Sequence, residues 1–97
     1  MRLERENKLE DRSVAKVEAA GGVALKLVIL GVRGWPDRTV LLPGGRLFFC
    51  EMKRRKVGVV SAQQSKWGRV LRGLGFAVYV VDSDEEFDAI LKKELER

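Results

Sequence analysis

The chain has 97 residues, 45% of them hydrophobic and 34% charged, and Lys plus Arg exceed Asp plus Glu by 19 to 14 for a formal charge of +5. That length serves one domain, residues 1–97, with one small core, and the balance of apolar and charged residues excludes a disordered, fibrous or membrane-embedded chain. One cysteine and no histidine exclude an internal disulfide, a zinc site of the usual kind and a histidine general base, so any metal must sit on oxygen ligands.

The opening stretch MRLERENKLEDR mixes charges and carries no apolar core of a signal peptide, which predicts a cytoplasmic protein. From Leu3 to Ala20 the spacing predicts a helix with Leu3, Val14 and Val17 on one side and Gly21-Gly22 as its stop. VALKLVIL, Val23 to Leu30, reads as a strand. The longest apolar run, Val23 to Val32, is broken by Lys26 and falls far short of the roughly 20 residues a membrane helix needs. After GVRGWPD, RTVLL predicts a second strand, PGG a tight turn and RLFFCEMK a third strand, so strands two and three form an antiparallel hairpin. Ser61 and Gln64 form a capping box opening a helix that ends near Gly73 or Gly75. FAVYVV is apolar throughout, as in a strand covered on both faces. The last segment, SDEEFDAILKKELER, begins with a second capping box, Ser83 and Glu86, and is expected to bury Phe87, Ile90, Leu91 and Leu95. The order αβββαβα predicts an α/β fold with a mixed central sheet flanked by helices.

Positive charge gathers in the middle of the chain: Lys53, Arg54, Arg55 and Lys56 are consecutive, and Lys66, Arg69 and Arg72 follow at helical spacing. An excess of this kind favours an anionic partner, and nucleic acid is the one expected.

Side chains two apart on a strand share a face, so Glu51 and Lys53 converge with Phe49, while Phe48, Cys50 and Met52 face the other way. A lone Glu-x-Lys is ordinarily a solvated strand end. Here Asp37 stands at the start of the neighbouring strand, behind a Gly34-Trp35-Pro36 turn, and Asp37 and Glu51 are nearly equidistant from PGG, which places them opposite one another in the hairpin. The first helix supplies a third acid: Leu3, Glu6, Glu10, Val14 and Val17 fall in one stripe, with Glu10 on the face expected to be buried. A buried carboxylate needs a Lys or Arg partner, a raised pKa or a metal ion. Asp37, Glu51 and Glu10 with a basic side chain nearby are the donors that Mg²⁺ or Mn²⁺ requires.

GWPDR, EMK and SAQQSKW, with the helix-borne Glu10 before Gly21-Gly22, resemble the motifs of the virus-type replication-repair nuclease (VRR-NUC) domain in the PD-(D/E)XK nuclease superfamily. The resemblance runs from about Leu9 to Leu91. It implies a restriction-endonuclease-like core and a metal-dependent DNA endonuclease acting on branched DNA, flaps or four-way junctions. It further implies that Asp37 and Glu51 bind Mg²⁺ or Mn²⁺ with the carbonyl of Met52, that Lys53 orients the attacking water and stabilises phosphate charge, and that Glu10 completes the site directly or through water. Gln64 matches the helix-borne glutamine of the family, although it is also the capping-box residue of its helix. Arg38 is expected to pair with a local acid or touch phosphate. Arg54, Arg55, Lys56 and Lys66 are expected on the DNA path, and Trp67 is expected to pack with Val70, Leu71 and Leu74. The competing readings are a non-catalytic nucleic-acid-binding module and a junction resolvase or restriction-like nuclease of the same superfamily.

A four-way junction has approximate two-fold symmetry, and so does a homodimer, which predicts a dimer. Trp35, Val57, Val59 and Val60 are the spare apolar residues expected to form its contact.

Overall fold

A computed structural model describes the backbone of residues 2–53 and 62–97 and the side chains of residues 8–53 and 66–97. The elements are α1 (Arg2–Ala19), β1 (Val23–Leu25), β2 (Arg38–Leu42), β3 (Arg46–Met52), α2 (Ala62–Gly73), β4 (Ala77–Val81) and α3 (Asp84–Leu95). This is the expected αβββαβα order.

The four strands lie in the order β1-β2-β3-β4. The Pro43-Gly44-Gly45 turn makes β2 and β3 antiparallel, with Val40 opposite Phe48 and Arg38 opposite Cys50. The crossover through α2 returns β4 parallel to β3, with Cys50 opposite Tyr79, the long connection that parallel neighbours need. The sheet is therefore mixed. Its central strand is β3, where every residue from Phe48 to Met52 is buried.

Strand alternation sorts the core into two layers. On one face Val40, Leu42, Phe48, Cys50, Met52 and Val81 meet Leu9 and Val17 of α1 and Phe87 and Leu91 of α3. Phe48 and Phe87 are fully buried, each contributing about 2 kcal/mol in transfer terms. On the other face Phe49 and Val78 pack with Leu71 of α2, flanked by Trp35 and Leu47.

The helix ends follow the sequence closely. Beyond α1, the amide of Gly22 donates to Val17 O at 3.0 Å and Gly21 takes φ +91°, a left-handed stop open to glycine. At α3 the amide of Glu86 donates to Ser83 Oγ at 3.1 Å, and the Glu86 carboxylate reaches back to the Asp82 amide at 2.9 Å. Ser61 lies outside the described residues, as does the side chain of Gln64, and with them the capping box expected at α2.

Three expectations change. The strand foreseen over Val23 to Leu30 ends at Leu25, because its ladder with β2 stops at the Leu25–Thr39 pair and β2 itself begins at Arg38. Past that point Val28 and Leu30 are almost fully exposed. The apolar face foreseen for α2 is only partly covered: Leu71 is buried but Val70 and Leu74 are exposed. In α3, Phe87 and Leu91 are buried, Ile90 and Leu95 half-buried, and Glu94 is buried beside them, its carboxylate accepting from the Tyr79 hydroxyl and from Arg97. Among the described residues no helix is long and apolar enough to cross a membrane.

Candidate active site at the carboxyl end of β3

Asp37 precedes β2 by one residue, and extending the β2–β3 register one step beyond the Arg38–Cys50 pair sets it against Glu51. Two reciprocal bonds hold the acids in place. The Asp37 amide donates to Glu51 Oε1 at 3.3 Å, and the Met52 amide donates to Asp37 Oδ2 at 2.7 Å. Upstream, Gly34 takes φ +83°, a conformation that favours glycine, and Pro36 is fully buried. The GWPD stretch is thus irregular backbone, fixed by the Gly34 conformation and the buried Pro36, that delivers Asp37 to β3.

Glu51 is buried. Burial, and then the negative charge of Asp37, push its carboxyl up to about 8 despite the Asp37 amide, which favours the charged form. Two carboxylates held together away from water resist ionising together. The amide of Lys53 donates to Val81 O at 2.8 Å, carrying the parallel ladder one residue past Met52. Alternation then sets half-buried Lys53 on the same face as Glu51 and Asp37. The site sits at the carboxyl ends of two parallel strands, where open α/β sheets bind ligands.

Glu10 lies on the other side of the strand pair. It is buried on α1, and Arg38 Nε stands 2.6 Å from its Oε2, with Lys26 Nζ at 4.0 Å. The Arg38 guanidinium also donates to Ala24 O at 3.1 Å. Of the routes open to this buried acid, the structure takes the ion pair, and Arg38 takes the local acid. Cys50, opposite Arg38, registers the crowding: burial, followed by the charges of Asp37, Glu10 and Glu51, pushes its thiol up to about 12. The thiol is held neutral, which excludes it as a nucleophile. Among the described residues no group of three acids is close enough to share an ion. The structure therefore brings Asp37 and Glu51 together and sets Glu10 behind Arg38.

Arg54, Arg55, Lys56, Val57, Val59 and Val60 lie outside the described residues. Lys66 is exposed on α2, its Nζ 5.9 Å from the centre of the Trp67 ring. Arg69 is exposed, whereas Arg72 turns onto β4, donating to Val78 O through Nε at 3.2 Å and a terminal nitrogen at 2.8 Å. Trp67 is half-buried and packs on Trp35, with ring centres 5.6 Å apart. Trp35, expected as a spare apolar residue, is instead built into the layer beneath α2. Its ring meets Phe49 edge-on at 5.5 Å, and its indole N–H donates to Thr39 Oγ1 at 3.2 Å. An aromatic residue followed by proline and a candidate ligand was the signal in the sequence for such an anchor.

No family model matches the chain. It is 40% identical over 85 residues, 88% of its own length and 90% of the relative's, to a protein of Acyrthosiphon pisum secondary endosymbiont phage 1 named "Putative nuclease p44". A solved structure of a VRR-NUC domain superposes with a TM-score of 0.84 at 30% identity, covering 91% of this chain and 95% of the other. With GWPD and EMK interlocked as the fold places them, the chain belongs to the VRR-NUC domain family.

Proposed function

We propose that this protein is a nuclease that hydrolyses DNA phosphodiester bonds with the help of Mg²⁺ or Mn²⁺ and prefers branched DNA. The observation that carries the reading is the pairing of Asp37 with the Glu51–Met52 end of β3, Glu51 accepting from the Asp37 amide and Asp37 from the Met52 amide, beside Lys53. The donor set fits a hard divalent ion: two carboxylates and the Met52 carbonyl are all oxygens, and a cation between the acids would offset both the burial and the Asp37 charge that raise Glu51.

Asp37, Glu51 and the Met52 carbonyl would hold the ion, which when bound supplies an acidified water and offsets phosphate charge. The residues of the chain do the rest. The Met52 amide keeps the Asp37 carboxylate turned inward, and the Asp37 amide does the same for Glu51. Lys53 orients the attacking water and donates to a non-bridging phosphate oxygen as the new P–O bond forms and the opposite P–O ester bond breaks. Glu10 fixes Arg38 behind the strand pair. Exposed Lys66 and Arg69, with the run Arg54, Arg55 and Lys56, offer backbone contacts to DNA without a base-reading element.

Two copies of the chain suit a junction with two equivalent strands. The apolar surface that favours pairing lies along Leu27, Val28 and Leu30, beyond the edge strand β1.

The direct test is incubation with linear, flapped and four-way DNA in Mg²⁺, in Mn²⁺ and in EDTA. Cutting only with metal, strongest on branched substrates, is expected. Cutting in EDTA overturns the metal reading, and binding without cutting under every condition identifies a binding module instead.

A further inference from the structure

We infer that Trp35 is a positioning residue for the candidate metal site, tying the Asp37 backbone to α2 through Trp67; the inference rests on the metal-site reading above. Trp35 stands two residues before Asp37, and between them lies Pro36, whose ring fixes its own φ and whose side chain is fully buried. Little backbone freedom remains between the indole and the carboxylate.

Three contacts in three directions hold the indole. Its N–H reaches Thr39 Oγ1 on β2 at 3.2 Å, which sets the rotation of the ring. Its plane stands at 89° to Phe49 on β3 with centres 5.5 Å apart, the edge-to-face geometry aromatic pairs prefer. Its other contact is Trp67 on α2 at 5.6 Å and 55°. Phe49 is two residues before Glu51 on the same face of β3. Trp35 therefore touches the strand that carries Glu51 and belongs to the segment that carries Asp37, and it buttresses the pairing that the two direct hydrogen bonds make.

A buried indole N–H needs an acceptor in any role, but here the acceptor lies on β2 and the ring partners on β3 and α2, so one side chain links three elements around the acids. The polar tether and the two fixed ring angles constrain an orientation, as groups that orient metal ligands do, and their loss commonly lowers metal affinity or activity by about 10–100-fold. The coupling runs further: Trp67 lies one helical turn beyond Gln64 on α2, so the same stack ties the placement of α2 to the acids.

The test measures Mn²⁺ affinity by calorimetry without DNA, alongside kcat and KM for branched DNA, in wild type, Asp37→Ala, Trp35→Ala, Trp35→Phe and Thr39→Val. We expect Trp35→Ala to weaken Mn²⁺ about tenfold or more and lower kcat with KM for DNA unchanged. Trp35→Phe, which keeps a ring but not the N–H, and Thr39→Val, which keeps the ring but not its acceptor, should fall between Trp35→Ala and wild type. If Trp35→Ala does not fold, these two variants decide the matter alone. Wild-type Mn²⁺ affinity and kcat in Trp35→Phe and Thr39→Val overturn the positioning role while leaving the metal site standing. Failure of wild type to bind Mn²⁺ more tightly than Asp37→Ala overturns the metal reading and the inference with it.

Discussion

Arg38 and Glu10 form a largely buried ion pair, Nε to Oε2 at 2.6 Å, with 18% and 10% of their side chains exposed. Removing one member of such a pair strands the other. Arg38→Ala should therefore destabilise the domain by about 3 kcal/mol, only partly relieved by Lys26 at 4.0 Å. Joint replacement of Arg38 and Glu10 by methionine should recover most of that loss, because a well-packed apolar pair is often neutral or better. Denaturant unfolding of the two variants measures the difference. An Arg38→Ala protein as stable as wild type would show that the pair does not hold α1 to β2.

Asp37→Ala, Glu51→Ala and Lys53→Ala are expected to lower kcat by orders of magnitude, because each acts on charge that develops in the transition state. DNA affinity should persist or improve in the two acid variants, since each removes negative charge beside a phosphate path. Single-turnover cleavage and a filter-binding assay separate the effects. Wild-type cutting by Lys53→Ala would remove the lysine from the chemistry.

The raised carboxyl of Glu51 makes the metal effect depend on pH. Its ordinary value is 4.5 and the folded value is about 8. A group raised on folding favours the protonated form in the native state, so the stability it contributes is full below about 4.5 and is lost as pH rises through about 8. Metal binding requires the ionised form and displaces the proton. The thermal shift produced by Mn²⁺ should therefore be small near pH 5.5 and grow steadily towards pH 8.5. A shift independent of pH across that window would mean that Glu51 does not bear the ion.

The elements were legible in the sequence wherever a local signal sufficed. RTVLL became Arg38–Leu42 as read, and PGG fixed a register in which Asp37 falls opposite Glu51. The Ser83 box and the Gly21-Gly22 stop worked because caps satisfy backbone groups within a few residues. What failed depended on distant partners. VALKLVIL has strand propensity along its whole length, but the ladder ends where β2 runs out, at Leu25. Glu94 reads as part of a polar helix face, yet Tyr79, fifteen positions away, draws it inside. Glu10 was legible as a buried acid but its partner was not, since Lys26, Arg38 and the other bases are equivalent until the sheet places them.

A fourth prediction concerns the ion network between α1 and α3. Arg12 and Lys16 meet Asp84 at 2.8 and 3.2 Å, and Lys16 meets Asp88 at 2.7 Å. The Arg12 hydrogen bond holds the Asp84 carboxyl below its usual range, so the stability it contributes is present above about pH 4 and is lost as pH falls further. These side chains are part-exposed, so water and salt screen the pairs and each contributes little. Asp84→Asn should thus cost little and less at high salt, whereas Ser83→Ala, which removes the α3 cap, should cost about 1 kcal/mol at any salt. Unfolding curves at low and high ionic strength distinguish the two.

The last prediction concerns assembly. Val28 and Leu30 are 96% and 100% exposed, and they follow the three-residue edge strand β1 in a sequence with the composition of a longer strand. Single exposed apolar residues are ordinary, but these two lie in a continuous apolar run, Leu27 to Leu30, beside β1, whose outer edge pairs with no strand among the described residues, the arrangement that recruits another chain. A second copy offers the same run, and two-fold pairing buries both at once. We therefore expect wild type to sediment as a dimer and the double variant Val28→Lys, Leu30→Lys to sediment as a monomer of 10.9 kDa mass class. Because both residues are solvent-facing in the single chain, the double variant should unfold at nearly the same denaturant concentration as wild type when both are monomeric at high dilution. Loss of four-way-junction cutting with retained nicking of simple duplex would follow from splitting the pair. A wild-type protein that stays monomeric at high concentration, or a dimer unaffected by both lysines, would place the contact elsewhere or remove it.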